Sequence, residues 1–535
     1  MPSKTMHGAE IRSAAFRPEG REIVLDLIRN AVEAPRERAW VSIPESGIPE
    51  LVSVGLPPAG KPGTATLPPV YPEWLGDRAF AAEHGARFSY VAGEMARGIA
   101  TPRMVIEAAR AGCVGFYGSA GLPLAEIKSG VEEIKAALGP EARNWGANLI
   151  HSPQEPGQEK AVIDLFLSQN VSRVSASAFM RLTADIVRYT ALGLSRAGDG
   201  SVQRANHVFA KVSRAEVAEA FMAPAPEKML KDLVAEGAIT PLQAELASKV
   251  PVAADITAEA DSGGHTDNRP ASPLFSSLCA ARARTATRYG LPESSIRIGL
   301  AGGIATPQSV AAAFQMGAAY VLTGSINQSA IESGLAQAGR ALLARAGPAD
   351  VAMTPAADMF EQGVQVQVLK RGTLFAMRGK KFHAFYRSGA SYETLPTADQ
   401  KWIDDVLGEP FAAAWAATRA YIQRVNPAEA ARAEEDGNKR LALVARRYLF
   451  MGAQWAREGQ ADRVADYQIW CGPAMGAFNE WVAGSFLEPV EARTVRQIAL
   501  NLMEGAAHVT RAGQLRSMGL TVPAELFSFR PVPFE

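Results

Sequence analysis

Short apolar runs alternate with longer helical patterns along the chain from Phe88 to about residue 350. Eight of these runs have the length and composition of buried strands: FSYVA, CVGFYG, NWGANLI, RVSAS, HVFAKV, VPVAADI followed by AEA, IRIGLAG and AYVLTG. Eight βα units within about 250 residues match the size of a TIM barrel. A doubly wound sheet usually has fewer strands and a GxGxxG motif after the first, and no such motif follows FSYVA. The pattern therefore predicts an α/β fold, a TIM (β/α)8 barrel.

The same pattern divides the chain into three parts. Residues 1–85 contain one helical stretch and a Pro/Gly-rich run typical of a linker, and residues 86–350 contain the predicted barrel. Between the fifth and sixth strands, a segment over about 213–249 has helical periodicity broken by prolines. It predicts a helical insertion that forms a lid or a pocket wall. Beyond residue 350 the strand pattern ends, and we predict a mainly helical region over 351–535.

Composition narrows the class of protein. The 535 residues include 55 basic and 55 acidic side chains, so the charge balance gives no reason to expect a nucleic-acid or membrane partner. The uncharged stretch from Ile298 to Ile331 is interrupted by Gly, Pro, Gln and Asn, which favours buried parallel strands over a membrane span. Three widely spaced cysteines offer neither a disulfide framework nor a metal site. With no signal-peptide pattern at the N-terminus, we predict a cytoplasmic protein.

Two glycine-rich turns follow the seventh and eighth predicted strands, where TIM barrels bind phosphate through backbone N–H groups and a helix N-terminus. The candidate residues in and beside these turns are Ala301, Gly302, Gly303, Thr323, Gly324 and Ser325. Pro307 suits the first position of the helix after the first turn. Two ordinary tight turns are the alternative, and the matching position at both strand ends favours a phosphate.

Small and polar residues at three other strand ends fit a flat ring. Ala92 and Gly93, after the first strand, leave room for a flavin isoalloxazine, although glycine is common in any turn. Asn148, in the third strand, can hydrogen-bond the pyrimidine edge of a flavin or satisfy its own loop. Lys211, in the fifth strand, places a cation where it would stabilise a reduced flavin, unless it is only solvated at the mouth.

His265 is the candidate catalytic residue. It follows Gly263 and Gly264 after the sixth strand, and an imidazole exchanges protons near neutral pH. The two glycines join the predicted cofactor-binding set, because they allow a ring to approach the backbone closely. Two nearby carboxylates either orient His265 or hold the loop, and another histidine at the mouth is a second candidate. These three residues are Glu259, Asp261 and His151.

Six segments of the predicted barrel are AGEMARGIATPRMVIEAARAG, GFYGSAGL, NLIHSP, AKVSR, EADSGGHTDNRP and AGGIATPQSVAAAFQMGAAYVLTGSINQ. Two more, VQVLKRGTLFAMRGKKF and ADYQIWCGPAMGAFNEWV, lie beyond it. Together these segments resemble the PfaD family, the trans-acting enoyl reductases of polyunsaturated fatty acid and polyketide synthases. The family is related to nitronate monooxygenases and to flavin-type bacterial enoyl reductases. The C-terminal segments are the more specific, because simple nitronate monooxygenases lack this region.

The resemblance implies an enoyl reductase that uses FMN and NADPH. NADPH would reduce the flavin and leave, after which an enoyl thioester would enter on an acyl carrier protein. His265 would then be the candidate acid for the α-carbon of that thioester. The alternatives are a nitronate monooxygenase-like flavin oxidase and a non-catalytic flavoprotein component of a synthase. We also expect a homodimer, although no sequence motif supports it.

Two other features in the C-terminal region are candidates for binding. A basic run fits an acidic carrier protein or the 2′-phosphate of NADPH, although charge runs are more often solvated faces. It consists of Lys370, Arg371, Arg378, Lys380 and Lys381. Cys471, in IWCGPAMG, is expected to pack near the pocket rather than to act as a nucleophile, because no paired base is visible.

Overall fold

A computed structural model of the chain describes residues 18–43, 49–58, 64–151 and 157–535. Its strands are β1 (Ala39–Ser42), β2 (Glu50–Val54), β3 (Thr64–Leu67), β4 (Tyr90–Ala92), β5 (Val114–Tyr117), β6 (Trp145–Ile150), β7 (Arg173–Ser177), β8 (Leu194–Arg196), β9 (Val202–Arg204), β10 (His207–Val212), β11 (Asp255–Glu259), β12 (Gly264–His265), β13 (Arg297–Ala301), β14 (Val321–Thr323), β15 (Val351–Pro355) and β16 (Gln365–Leu369).

Its α-helices are α1 (Pro18–Glu33), α2 (Arg78–His84), α3 (Pro102–Arg110), α4 (Leu124–Leu138), α5 (Gln158–Ser168), α6 (Ala184–Leu192), α7 (Ala215–Met222), α8 (Glu227–Ala235), α9 (Pro241–Ala247), α10 (Ala271–Tyr289), α11 (Pro307–Gln315), α12 (Gln337–Leu343), α13 (Phe375–Arg387), α14 (Thr397–Leu407), α15 (Phe411–Val425), α16 (Pro427–Glu435), α17 (Gly437–Glu458), α18 (Ala474–Val482) and α19 (Val495–Ser517). Among the helices of these described ranges, none is long and apolar enough to cross a membrane.

The chain forms two compact units, and the smaller comprises residues 1–72 and 504–529. In this unit β1 pairs antiparallel with both β2 and β3. The guanidinium of Arg511 is buried and donates to the carbonyl oxygens of Pro35, Glu37 and Pro68, which ties the end of the chain to its beginning. Strand β3 falls within the Pro/Gly-rich run that resembled a linker, because TATL carries β-branched residues that favour a strand.

The larger unit comprises residues 73–503 and 530–535, and it contains a closed parallel barrel. The strand order around the barrel is β10-β11-β13-β14-β4-β5-β6-β7, so each strand pairs with its neighbour in the repeating βα series. All eight predicted strands are barrel strands. The predicted TIM barrel is therefore confirmed.

Local sequence signals explain where the barrel helices begin. Helix α11 starts with Pro307 at its first turn and a capping box between Thr306 and Ser309, as the sequence predicted for Pro307. Helix α9 has the same arrangement, with a capping box between Thr240 and Gln243. Helices α7, α8 and α9 lie between β10 and β11 and form the inserted helical segment.

Two strands follow residue 350, where the strand pattern was expected to end. β15 pairs antiparallel with β16, and β16 also pairs with β12 from the loop after barrel strand β11. The alternation QVQVL in β16 is a short strand signal that the surrounding helical patterns obscure. Beyond β16 the chain is mainly helical as predicted, with α13, α14, α15 and α17 packed around buried aromatic residues such as Phe375, Phe382 and Tyr448.

Candidate active site

The carboxyl ends of the barrel strands meet at one end of the barrel, which we call the mouth. Strands β11, β13, β14 and β4 are neighbours there. The turns after these four strands carry the predicted glycines, which are Gly263, Gly264, Gly302, Gly303, Gly324 and Gly93. The order of the barrel strands therefore brings together turns that lie far apart in the sequence.

The turns after β13 and β14 leave open space at the mouth. Gly303 has φ +74°, and a Cβ atom added to Gly303 or to Gly324 would meet no heavy atom of the described residues within 4 Å. Among the hydrogen bonds of the described residues, none engages the backbone N–H of Gly303, Gly324 or Ser325. Unengaged N–H groups beside open space are the feature that anion sites in loops share.

Two of the predicted glycines are explained by packing inside the barrel wall. A Cβ atom on Gly93 would lie 2.4 Å from Cδ2 of Leu322, on the neighbouring strand. A Cβ atom on Gly302 would lie 2.6 Å from the carbonyl carbon of Ala260, and Gly302 has φ +81°. Both positions require glycine because chains approach closely there, whether or not a ligand binds.

Three further candidates are buried strand ends. Ala92 pairs with Thr323 across β4 and β14, and Ala301 is the last residue of β13. The hydroxyl oxygen of Thr323 lies 2.5 Å from the hydroxyl of Tyr90 and accepts a hydrogen bond from the Asn327 amide at 3.0 Å. These contacts fix the strand ends from which the two glycine turns start.

Asn148 lies in β6 and is almost fully buried. Its Nδ2 donates to the carbonyl oxygen of Ser175 at 3.0 Å and to Oγ of Ser177 at 3.1 Å. Both N–H donors of the side chain are therefore used in hydrogen bonds to the neighbouring strand β7. The carbonyl oxygen Oδ1 is left as the group that can accept from a ligand.

Lys211 lies near the end of β10 and is held between two carboxylates. Its Nζ is 3.0 Å from Glu94 Oε1 and 3.1 Å from Glu259 Oε1. Burial alone would lower the pKa of Lys211, but the charges and hydrogen bonds of the two carboxylates outweigh it and raise that pKa above its ordinary value. The predicted cation is therefore present at the mouth, but its charge is already compensated. The second oxygen of Glu94 is buried and has no hydrogen-bond partner among the described residues.

His265 is half-exposed at the mouth and is positioned from outside the barrel. It belongs to β12, where it pairs in register with Val366 of β16. Its Nε2 lies 3.4 Å from Oδ1 of Asp358, whose side chain is exposed. Partial burial would raise the pKa of Asp358, but the hydrogen bond and charge of His265 hold it below its ordinary value. The carboxylate partner of His265 is thus Asp358.

The two carboxylates nearest in sequence serve other groups. Asp261 Oδ1 accepts hydrogen bonds from Asn268 Nδ2 and Gln367 Nε2, both at 2.8 Å, so it holds the loop. Glu259 pairs with Lys211, as described above. Of the two roles that the sequence left open for Asp261, the structure supports the loop role.

A C-terminal segment, Trp470–Pro473, packs against the turn that precedes His265. A Cβ atom on Gly263 would lie 2.7 Å from the backbone nitrogen of Cys471, and Gly472 N–H donates to Oγ of Ser325 at 3.2 Å. Cys471 is buried, and burial first, followed by the charge of Asp350, raises the pKa of its thiol to about 12. The thiol is therefore a packed side chain beside the site, as the sequence suggested.

Local sequence patterns did not indicate Asp358, Glu94 or Trp470. Glu94 directly follows Gly93, so its position at a strand end was the one available signal. Asp358 and Trp470 belong to a region without barrel strands, and only the pairing of β12 with β16 brings them to the mouth.

His151, the second histidine candidate, follows β6 at the mouth. Its Nδ1 lies 2.9 Å from Oε2 of Glu159, and its ring packs against that of Phe179 with centroids 5.2 Å apart. The residues after it, 152–156, lie outside the described ranges. His151 therefore has a carboxylate and an aromatic partner of its own, separate from those of His265.

Most of the basic run is engaged within the chain. Arg371 lies 3.2 Å from Asp350, and Arg378 pairs with Asp466. Lys381 lies 3.0 Å from Asp399 and over the ring of Trp402. Lys370 and Lys380 are exposed. Three of the five cations thus have carboxylate partners, which weakens the prediction that the run binds an acidic protein.

Comparison with known proteins places this geometry in a family. Residues 390–467, in the C-terminal helical region, match the inserted helical domain of [acyl-carrier-protein] S-malonyltransferase. The chain is similar to the crystal structure of the enoyl reductase domain of MlnA, from the macrolactin biosynthesis cluster of Bacillus amyloliquefaciens. The two are 34% identical with a TM-score of 0.78, and the match covers 83% of this chain and 99% of that domain. This chain belongs to the PfaD-like family of enoyl reductase domains.

The family membership inferred from the motifs is therefore confirmed. A polyunsaturated fatty acid synthase component of Thraustochytrium sp. is 44% identical over 452 residues, which are 83% of this chain and 30% of that protein. Polyketide biosynthesis protein PksE of Bacillus subtilis is 40% identical over 436 residues, which are 81% of this chain and 56% of PksE. The chain thus spans between about a third and just over half of the length of these larger relatives.

Proposed function

We propose that this PfaD-like chain is an FMN-dependent enoyl reductase that uses NADPH to reduce the 2,3 double bond of an enoyl thioester carried on an acyl carrier protein. The observation that carries the proposal is the mouth itself: two open glycine turns on adjacent strands, with His265 on a neighbouring turn. The similarity to the MlnA enoyl reductase domain supports the reaction type.

The residues at the mouth fit an FMN. The unengaged N–H groups of Gly303, Gly324 and Ser325 suit a phosphate, and the space at Gly303 and Gly324 admits one. Asn148 has a free acceptor for the polar edge of the ring, and Ala92 ends a strand on the same arc of the barrel.

When bound, FMN would supply the hydride transfer, from NADPH in one half-reaction and to the β-carbon in the other. The overall reaction consumes NADPH, a proton and the enoyl thioester, and it forms NADP⁺ and the saturated thioester. The protein must therefore deliver one proton to the α-carbon. His265 is the proposed donor, because its Nε2 is turned to Asp358 and its Nδ1 makes no hydrogen bond within the described part of the chain.

Asp358 is proposed to position His265. The carboxylate lies beside Nε2 and fixes the orientation of the ring, so Nδ1 is the nitrogen proposed to serve the substrate. The pair is half-exposed, so water can return the proton after each cycle. The backbone pairing of β12 with β16 fixes the position of the ring relative to the barrel.

Lys211 is proposed to act through its cluster with Glu94 and Glu259. The cation and two carboxylates form one largely buried group. Ser177 links this group to Asn148, because its Oγ accepts from Asn148 Nδ2 at 3.1 Å and donates to Glu94 Oε1 at 3.0 Å. The unpartnered second oxygen of Glu94 can accept a hydrogen bond from a bound ring. We propose that the cluster orients the flavin. The positive charge of Lys211 is shared with two carboxylates, so Lys211 would not by itself stabilise the reduced flavin.

An acyl carrier protein is the proposed carrier of the substrate. The match of residues 390–467 to the inserted helical domain of a carrier-protein transferase supports this partner, as do the synthase relatives. In the same proposal the chain acts within a polyunsaturated fatty acid or polyketide synthase in the cytoplasm. The homodimer stays a prediction.

Anaerobic stopped-flow spectroscopy of the purified protein tests the proposal. We expect bound flavin that NADPH bleaches, followed by rapid reoxidation when a crotonyl thioester of an acyl carrier protein or of pantetheine is added. Reduced flavin that only oxygen reoxidises would support the oxidase alternative instead. Purification without flavin, and failure to bind added FMN, would contradict the roles proposed for the two glycine turns.

A further inference from the structure

A pair of arginines lies at the mouth and has no carboxylate partner among the described residues. Arg97 lies in the loop after β4, and Arg457 lies in the last turn of α17. Neither forms an ion pair with any Asp or Glu of the described ranges. Every polar contact found for their side chains is to a neutral group, which leaves both charges available to a ligand.

The contacts of Arg97 hold it in a defined place. Its Nη1 donates to the carbonyl oxygen of Phe450 at 3.1 Å, and its guanidinium carbon lies 3.8 Å from the centre of the Phe450 ring. Its backbone N–H donates to Ala120 O at 2.8 Å, in the loop after β5. These three contacts join two barrel loops to helix α17.

The backbone of Arg97 is strained. It has φ +60°, a conformation that costs a residue with a side chain roughly 1 kcal/mol or more. Other non-glycine residues with positive φ include Ala178 after β7 and Asn268 in the loop after β12, which also lie at the mouth. Strain of this kind persists where the surrounding structure needs a side chain in one particular place.

Arg457 lies directly beside Arg97. A Cβ atom on Gly98 would be 3.3 Å from Nη2 of Arg457, so this guanidinium covers the residue that follows Arg97. Its Nη1 donates to the neutral side chain of Gln454 at 3.5 Å, and its Nε is buried with no hydrogen-bond partner in the described part of the chain. The C-terminal carbonyl groups of α17 make a cation tolerable in this turn.

The two guanidinium groups repel each other. Burial first, and then the positive charge of Arg457, lower the pKa of Arg97 to about 10. The charge of Asp358, the partner of His265, acts on Arg97 in the opposite direction. The arginine pair therefore shares the mouth with the proposed catalytic histidine. Two adjacent, half-buried cations are costly for the free protein and favourable once an anion lies between them.

We infer that Arg97 and Arg457 form a binding site for a phosphate group of a substrate, apart from the phosphate turns after β13 and β14. This inference rests on the proposed function, whose substrates bring such a group to the mouth in two ways. One is the phosphodiester of the carrier protein's pantetheine arm, and the other is the 2′-phosphate of NADPH. A planar guanidinium pair matches the oxygens of either phosphate.

Isothermal titration calorimetry of the protein as purified tests the site with two matched pairs of probes. The first pair is 4′-phosphopantetheine and pantetheine, and the second is 2′,5′-ADP and AMP. We expect the phosphate-bearing member of one pair to bind about 10- to 100-fold more tightly, and Arg97→Gln or Arg457→Gln to remove that preference. Lysine at either position should restore part of it, because the charge remains while the planar donor fork is lost.

Arg288→Gln is the matched control. Arg288 is exposed in the last turn of α10, and a barrel helix returns its C-terminus to the end opposite the mouth. This variant should keep the full phosphate preference. Comparing urea unfolding of all variants separates loss of the site from loss of the fold.

The outcomes show which substrate supplies the phosphate, and they test the arginine site separately from the proposed enoyl reductase function. A preference lost only with the pantetheine probes assigns the site to the carrier arm, and one lost only with the adenosine probes assigns it to NADPH. A phosphate preference that survives in both Arg97→Gln and Arg457→Gln overturns the inference. Because calorimetry needs no turnover, arginine-dependent binding in a protein that reduces no enoyl thioester would support this site while contradicting the proposed function.

Discussion

The two ends of the barrel use the same kinds of side chain for opposite purposes. At the amino ends of the strands, Asp255 of β11 and Arg297 of β13 make a two-pronged ion pair with N–O distances of 2.7 and 2.9 Å. His84 of α2 bonds to Asp255 at 3.0 Å through Nε2, and its Nδ1 accepts from Arg173 at 3.0 Å. At the mouth, Lys211 is also paired with carboxylates, but His265 and the arginine pair are partly exposed and can contact a ligand.

The difference lies in how the polar atoms are satisfied. Helix α2 closes the amino end, and the rings of Phe80 and Tyr320 stack there with centroids 4.4 Å apart, which excludes water. The side chains of His84, His207 and Asp255 come within 4.8 Å of one another, as in a metal site. Arg297 and Arg173 already occupy lone pairs of that group, so we interpret it as an ion-pair network that stabilises the fold. The mouth keeps unengaged groups that a ligand can use.

The largest expected effect follows from breaking the ion pair between Asp255 and Arg297 at the amino end of the barrel. Asp255→Ala leaves Arg297 buried with Glu83 as its remaining carboxylate, and we expect the free energy of unfolding to fall by about 3–5 kcal/mol. Urea unfolding followed by circular dichroism measures it. Glu259→Ala at the mouth is the control, and it should cost much less, because Lys211 retains Glu94. Equal costs at the two ends would contradict the comparison.

The His265→Gln variant tests the proposed proton donor at the mouth. Loss of the proposed proton donor should slow reoxidation of the reduced flavin by an enoyl thioester by about 10²- to 10⁴-fold. The half-exposed side chain should contribute little to stability, so the unfolding midpoint and the flavin content should not change. His151→Gln is the control, a second histidine at the mouth with its own carboxylate partner. A similar slowing in both variants would argue against a specific role for His265.

Substitutions at two glycines distinguish open space for a ligand from close packing within the barrel. An added methyl group on Gly324 meets no heavy atom within 4 Å and Gly324 has φ −120°, so Gly324→Ala should leave stability unchanged. The methyl group would occupy the proposed phosphate space, and we expect FMN to bind at least about tenfold more weakly in a fluorescence titration. Gly93→Ala should instead destabilise the barrel by about 1–3 kcal/mol, because of the contact with Leu322. Normal FMN affinity in Gly324→Ala would exclude that phosphate position.

The closed end also predicts a pH dependence of stability. Burial is the main cause that lowers the pKa of His84, and it lowers the pKa of His207 to about 2. The unfolded chain binds these protons near pH 6.5 and the folded chain does not, so stability should fall as the pH drops below about 6.5. Each histidine contributes up to about 1.4 kcal/mol per pH unit. His207→Gln should reduce this slope in urea unfolding between pH 7 and 5, and an unchanged slope would contradict the assignment.

The smallest expected effect concerns the carboxylate beside His265. Asp358→Asn removes an exposed partner, so we expect a loss of a few-fold in the reoxidation rate and no more than about 1 kcal/mol of stability. Stopped-flow reoxidation by a crotonyl thioester measures the rate, and urea unfolding measures the stability. Asp261→Asn, which alters the loop contacts with Gln367 and Asn268, is the comparison variant.

Much of the barrel was predictable because its signals are local. Each strand is a short apolar run, and the turns after β13 and β14 fall where a repeating βα series puts its last two strand ends. The family resemblance rested on motifs in the barrel and on two segments of the C-terminal region, and the similarity to MlnA confirms it. The strands outside the barrel were missed, because strands of two to five residues in loop, proline-rich or helical surroundings carry little periodicity. They are β1, β2, β3, β8, β9, β12, β15 and β16.

The sequence by itself determined which residues end the barrel strands, since alternating apolar runs and glycine turns are properties of neighbouring residues. Only the tertiary structure decided which groups act together. Asp358 reaches His265 through the pairing of β12 with β16, Glu94 and Glu259 meet at Lys211 across the barrel, and Arg457 comes to Arg97 on a helix from the C-terminal region. Such contacts depend on how distant elements pack, and no local pattern of side chains records that packing.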